Sequence, residues 1–171
     1  MQEIASIDAD VSGTFSFAGE STATSNLTKG EPMKIFTIGY GGRSQDEFLR
    51  LVAQASVRTI VDIRLRPDRA SMGIWVKAKT PDKGIEKWLA EADIGYRSLI
   101  ELGNVFLDFP NWQDRYQQLM ATAGELLTQR LEDIPGPICL LCAEKRVAEC
   151  HRLMVANYLA EHRGADVQHL E

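Results

Sequence analysis

From Lys34 onward, short apolar runs take turns with stretches of helical periodicity, and each apolar run leads straight into a polar segment. "KIFTIGY" (34–40) reads as a strand, and Ser44 with Glu47 forms a capping box opening a helix that carries Phe48, Leu49, Leu51 and Val52. "RTIVDIRL" (58–65) is a second strand whose unbroken apolar character suits burial on both faces. Thr80 and Pro81 stand in the order of an N-cap and a first-turn proline, so a second helix is predicted from there through Trp88 and Leu89. "GYRSLI" (95–100) is the third strand, and Asn111 can cap a long helix carrying Trp112, Tyr116, Leu119, Leu126 and Leu127. "PICLLCA" (137–143) is the fourth strand, followed by a helix from about Val147 to Arg163 that Gly164 can end. "DVQHL" is a weakly signalled last strand.

Strands that alternate with helices pair in parallel through right-handed crossovers. The expected fold is therefore α/β, a single domain with a mostly parallel sheet and helices on both faces. Residues 1–32 are rich in Ser, Thr, Ala and Gly and show no sustained period, so they read as a flexible leader before a folded unit over 33–171. No apolar run is long enough to span a bilayer, and the first residues have neither a basic stretch nor an apolar core of a secretory signal. The cytoplasm is the expected compartment. Three cysteines crowded into one segment do not make a disulfide framework. A net charge of -5 opposes wholesale binding to nucleic acid, though not a local basic patch.

In a parallel sheet, ligands lie beyond the carboxyl ends of the strands. Each polar cluster of this chain falls there: "GYGGRS" after the first strand, "DIRLRPDR" at the end of the second, "ELGN" after the third and "CAEKRVAECHR" after the fourth. All are expected to face one cleft. The glycine-rich turn feeds a helix N-terminus, where free N–H groups favour an anion, but it matches neither an NTPase loop nor a dinucleotide fingerprint. Its plainer role is a tight turn that needs glycine for geometry. Asp62 and Arg64 share a strand face and can hold an anion or simply each other. Glu101 can act as a base or pair with an arginine. The segment from Arg64 to Lys83 is locally basic, with Lys77, Lys79 and Lys83. Trp75 within it can stack on a base or fold back as a lid.

These residues resemble the DUF488 family of bacterial and archaeal proteins of unknown function. "TIGYGGRS", "VDIR", "ELGN" and above all "LLCAEKRVAECHR" carry the resemblance, which runs from about Lys34 to His162. The chain departs from the family form at "IGYGG", where a histidine-serine pair would stand in place of Tyr40 and Gly41. The resemblance implies a compact α/β fold and a shared polar cleft, and supplies no reaction.

Within "CLLCAEKRVAECHR", strand alternation sends Cys139 and Cys142 to opposite faces, which disfavours a dithiol pair. A phosphatase loop needs arginine six positions after the cysteine, where Ala148 stands. Adjacent Cys150 and His151 would point about 100° apart on a helix, so no metal and no cofactor are assigned. Cys150 is expected to pack against the sheet. The candidate catalytic residues are Cys142, Glu144 and Glu101. The candidate ligand-binding residues are Gly39, Tyr40, Arg43, Ser44, Asp62, Arg64, Lys145, His151 and Arg152. The expected partner is a small anionic ligand, a phosphorylated small molecule or nucleotide, bound by a possible enzyme. The alternative is a non-catalytic module that uses the basic loop 64–83 to bind nucleic acid or a protein partner.

Overall fold

The three apolar runs form the middle of the sheet. In this computed structural model, which describes residues 32–171, β1 (Lys34–Gly39), β2 (Thr59–Asp62) and β4 (Ile138–Cys142) are buried along almost their whole length. The expected leader lies outside the described residues apart from Pro32. The edges are β3 (Gly95–Ser98) and β5 (Asp166–Leu170), whose residues alternate between more and less exposed. That alternation explains why both read weakly in sequence: an edge strand has one ladder and one face open to water.

All neighbours pair in parallel, in the order β3-β2-β4-β1-β5. Helices α1 (Gln45–Gln54) and α2 (Gly84–Glu91) pack on one face through Phe48, Val52, Trp88 and Leu89, against Ile38, Ile60 and Leu141. Helices α3 (Trp112–Thr128) and α4 (Arg152–Arg163) pack on the other through Tyr116, Met120, Val155 and Leu159, against Ile35, Val61 and Leu140. Each such side chain stabilises the fold by roughly 1.5–3 kcal/mol when fully buried. The chain leaves β2 toward the first face and β4 toward the second, so the connections diverge at the carboxyl ends of these two neighbouring strands. No described helix is long and apolar enough to cross a membrane.

Ser44 caps α1 as its spacing predicts, its Oγ accepting from the Glu47 N–H at 3.1 Å. Glu47 does not close the box; its carboxylate pairs with Arg43 instead. Gly164 ends α4 in the left-handed region, at φ 62°. Asn111 precedes α3, but its side chain accepts from Arg115 Nε rather than from the backbone.

Two helix starts differ from the sequence reading. The second helix begins at Gly84 rather than Thr80, because Gly84 bridges Lys77 and the Ile85 N–H donates to the Val76 carbonyl at 2.9 Å. Gly84 has φ 62°, and a Cβ there would lie 2.0 Å from the Val76 oxygen, so this pairing requires glycine. The last helix begins at Arg152 rather than Val147. A 3₁₀ turn over Val147–Glu149 comes first, and Cys150 is then extended, at φ -130° and ψ 141°.

Candidate functional site

The break before α4 overturns the geometric objection to Cys150 and His151 acting together. Successive residues of a continuous helix diverge by about 100°. With Cys150 extended, both side chains turn inward to the tip of β4, and both are buried. Cys142, the last residue of β4, lies on the α3/α4 face by alternation from Leu140, and is buried as well.

The Cys142 thiol donates to Glu144 Oε2 at 3.0 Å. His151 Nδ1 lies 3.7 Å from Cys142 Sγ and 3.9 Å from Cys150 Sγ. The other ring nitrogen, Nε2, lies 3.1 Å from the Ile63 carbonyl, which only accepts. Nε2 therefore carries a proton, and Nδ1 is the ring nitrogen that faces the sulfurs. The Tyr116 ring closes one wall, 5.2 Å from the imidazole at an edge-to-face angle, with its hydroxyl anchored on the Leu102 carbonyl. The ligand-type atoms of Cys142, Glu144, Cys150 and His151 all lie within 4.8 Å of one another.

Their proximity redistributes protons. The neighbouring Cys150 and burial push the Cys142 thiol well above its ordinary range, with Glu144 adding to the effect. Cys142 beside it brings Cys150 below the ordinary thiol range against the cost of burial, helped by His151. Burial works to raise Glu144, but the thiols beside it hold its carboxyl below the usual range. Burial, then the two nearby sulfurs, raise Tyr116.

A second polar group sits at the tip of β2. Arg64 Nε and Nη2 donate to the two oxygens of Asp62 at 2.8 and 2.5 Å, and Tyr96 donates its hydroxyl to the same carboxylate at 2.6 Å. Arg64 lies over the Tyr40 ring, 5.2 Å from its centroid, and its Nη1 is buried with no hydrogen-bond partner among the described residues. Burial works to lower Arg64, but Asp62 more than offsets it, so the guanidinium stays charged. Burial and then Asp62 raise Tyr96. Asp62 shares the α1/α2 face with Ile60, opposite the cysteines. The two groups nevertheless meet at Ile63, whose carbonyl takes the His151 ring and whose chain neighbours are Asp62 and Arg64.

The family model described as "Domain of unknown function DUF488" matches residues 44–159 of this chain. The chain belongs to the DUF488 family. No curated protein and no solved structure matches it. The matched span takes in the Asp62–Arg64 group and the whole cysteine cluster, while β1 and β5 lie outside it.

The remaining candidate residues of this DUF488 chain serve mainly to fix the loop after β4. Tyr40 and Gly41 donate their N–H groups to the carbonyls of Cys142 and Ala143, at 3.2 and 2.8 Å. A Cβ on Gly39 would lie 1.7 Å from the Glu144 oxygen, so glycine lets the two backbones touch. Arg43 is buried and directs its guanidinium to Gly39, Glu47 and Leu170. Arg152, fully buried, donates to the Glu144 carbonyl at 2.5 Å and the Lys145 carbonyl at 2.7 Å. The Lys145 side chain is exposed beside them. Ser44 caps α1, and Glu101 pairs with Arg130 at 2.7 Å.

Structure therefore gathers Cys142, Glu144 and His151, and sets Asp62, Arg64 and Tyr40 beside them. It adds Cys150, which the sequence reading expects only to pack against the sheet, and Tyr96 and Tyr116, to which that reading gives no place in the site. Tyr96 is reached through the pairing of β3 with β2, and Tyr116 through the packing of α3, neither of which spacing along the chain records. In the basic segment, Trp75 is fully buried and stacks on Tyr40 at 5.0 Å, while Lys77 pairs with Glu86 and Arg66 with Asp68.

Proposed function

We propose that this DUF488 protein is an enzyme acting on a small anionic molecule, of the phosphorylated-metabolite or nucleotide class, at the carboxyl ends of β2 and β4. The observation that carries the reading is Arg64. Asp62 grips its Nε and Nη2, and its buried Nη1 has no hydrogen-bond partner among the described residues. A buried donor left unsatisfied costs about 1–3 kcal/mol, and an anionic oxygen is the strongest acceptor that can relieve it. Arginine suits this task because its planar fork presents fixed donors and stays charged.

The residue roles follow from position. Arg64 anchors the anion, with Asp62 and Tyr96 setting its orientation and Tyr40 lying beneath the guanidinium. Cys142, Glu144 and His151 supply reactive groups on the far side of Ile63. Gly39, Arg43 and Arg152 shape the loop that presents Glu144. Free thiols at the centre of the site agree with a reducing compartment such as the cytoplasm.

Thermal unfolding with inorganic phosphate and with nucleoside monophosphates, at constant ionic strength, tests the reading. A ligand at a hundredfold excess over its Kd stabilises by about 2.7 kcal/mol. At least one anion is expected to raise the Tm of the wild type and to do so much less in Arg64→Lys, which keeps the charge but loses the fork. Equal shifts in both proteins, or none beyond that of chloride, would refute it.

A further inference from the structure

Beyond the anion site, and independently of it, we infer that Cys142, Glu144, Cys150 and His151 form a binding site for one Zn²⁺ ion. Tetrahedral zinc with bonds of about 2.3 Å to sulfur and about 2.0–2.1 Å to nitrogen or oxygen needs its ligands roughly 3.5–3.8 Å apart. His151 Nδ1 stands 3.7 and 3.9 Å from the two sulfurs, one at that spacing and the other just beyond it. Cys142 Sγ and Glu144 Oε2, at 3.0 Å, are held together by the thiol proton and would open by about half an ångström once that proton leaves. Any thiol proton still present leaves to solvent on binding, so two thiolates and one carboxylate face the dication.

The surroundings are those of a metal site. The Ile63 carbonyl fixes the His151 ring through Nε2 and leaves Nδ1 as the donor, the outer contact that orients metal-ligating imidazoles. Arg152 gives its guanidinium to the backbone carbonyls of 144 and 145 and not to the Glu144 carboxylate, so that carboxylate stays free to ligate. Two thiolates with an imidazole select zinc over magnesium or calcium, which prefer oxygen. Cys142, Cys150 and His151 are buried and make the fixed ligands; Glu144 is half-buried and makes the exchangeable fourth. A position that opens to solvent is the mark of a catalytic rather than a purely structural zinc.

The test uses the full chain, reduced and under nitrogen, titrated with Co²⁺ as a spectroscopic stand-in. The result expected is a tetrahedral visible band and a thiolate-to-cobalt band in the near ultraviolet, both saturating at about one equivalent and bleached by Zn²⁺. Cys150→Ser should lose much of the near-ultraviolet band. Glu144→Gln, a half-exposed change that spares the core, should keep the fold by circular dichroism and weaken Zn²⁺ affinity about tenfold or more. Cys139→Ala, on the α1/α2 face, should bind as the wild type does. The inference is overturned if the folded, reduced protein gives no thiolate band. It is equally overturned if the band keeps its full intensity in both Cys142→Ser and Cys150→Ser, or disappears in a folded Cys139→Ala.

Discussion

Replacing Arg152 by methionine separates a loop-fastening arginine from a ligand-binding one. Its guanidinium is fully buried and makes two hydrogen bonds, at 2.5 Å to the Glu144 carbonyl and 2.7 Å to the Lys145 carbonyl. The nearest carboxylate, that of Glu171, lies 4.0 Å away, so the cation is held chiefly by backbone. Each charged hydrogen bond contributes about 1.5–3 kcal/mol, and methionine fills a similar volume without restoring either. Relief of the charge's desolvation offsets part of the loss. The expected net destabilisation is about 2–4 kcal/mol, which at an m-value of about 2 kcal/mol/M lowers the urea midpoint by roughly 1–2 M. Arg152→Lys should recover little of it, since one ammonium cannot span both carbonyls in the same geometry. A midpoint unchanged or raised in Arg152→Met would refute the reasoning and return Arg152 to the list of ligand-facing groups.

Gly39→Ala should cost about 3 kcal/mol or more by urea unfolding, because the new Cβ meets the Glu144 oxygen at 1.7 Å and backbone must move to admit it. Ser44→Ala removes the cap on the Glu47 N–H and should cost about 1 kcal/mol by the same measurement, with no effect on Co²⁺ binding. His169, bonded to Thr37, is lowered by burial and then by Arg152, so its neutral form is favoured in the folded state. The unfolded chain binds the proton first, so this contribution is present above about pH 6.5 and fades as pH falls through the lowered folded value. The pH dependence of Tm should accordingly flatten in His169→Gln. Lys77→Gln, Lys79→Gln and Lys83→Gln combined should leave the anion-induced Tm shift unchanged, since Lys77 is engaged by Glu86 and the donor assigned to the anion is Arg64 Nη1.

The central strands were legible in sequence because burial on both faces writes a continuous apolar run, as in "TIVDI" and "ICLLC". The α1 start was legible because a cap is a local hydrogen bond between residues three apart. The starts of α2 and α4 were not, because contacts from elsewhere decide them. The Lys77–Gly84 bridge delays one helix, and the inward pull on Cys150 and His151 breaks the other. That second failure concealed the cysteine cluster, since a continuous helix would have separated two ligands that the extended Cys150 brings together. The arginines were misjudged for a related reason. Arg43 and Arg152 look as free as Arg64 in a sequence, but backbone carbonyls of neighbouring strands and loops take up both. Only the fold shows that, among the described residues, Arg64 Nη1 and Arg152 Nε are the guanidinium nitrogens buried without a partner.

Native mass spectrometry of the full chain, purified without chelator and under reductant, tests most directly whether the tips of β2 and β4 hold a ligand or only fasten a turn. The account predicts a mass in excess of the bare chain by one zinc ion, lost on acid denaturation. It also predicts a further adduct with an anion that is missing in Arg64→Lys. A bare mass that stays bare after addition of one equivalent of Zn²⁺ and an excess of each anion would contradict it.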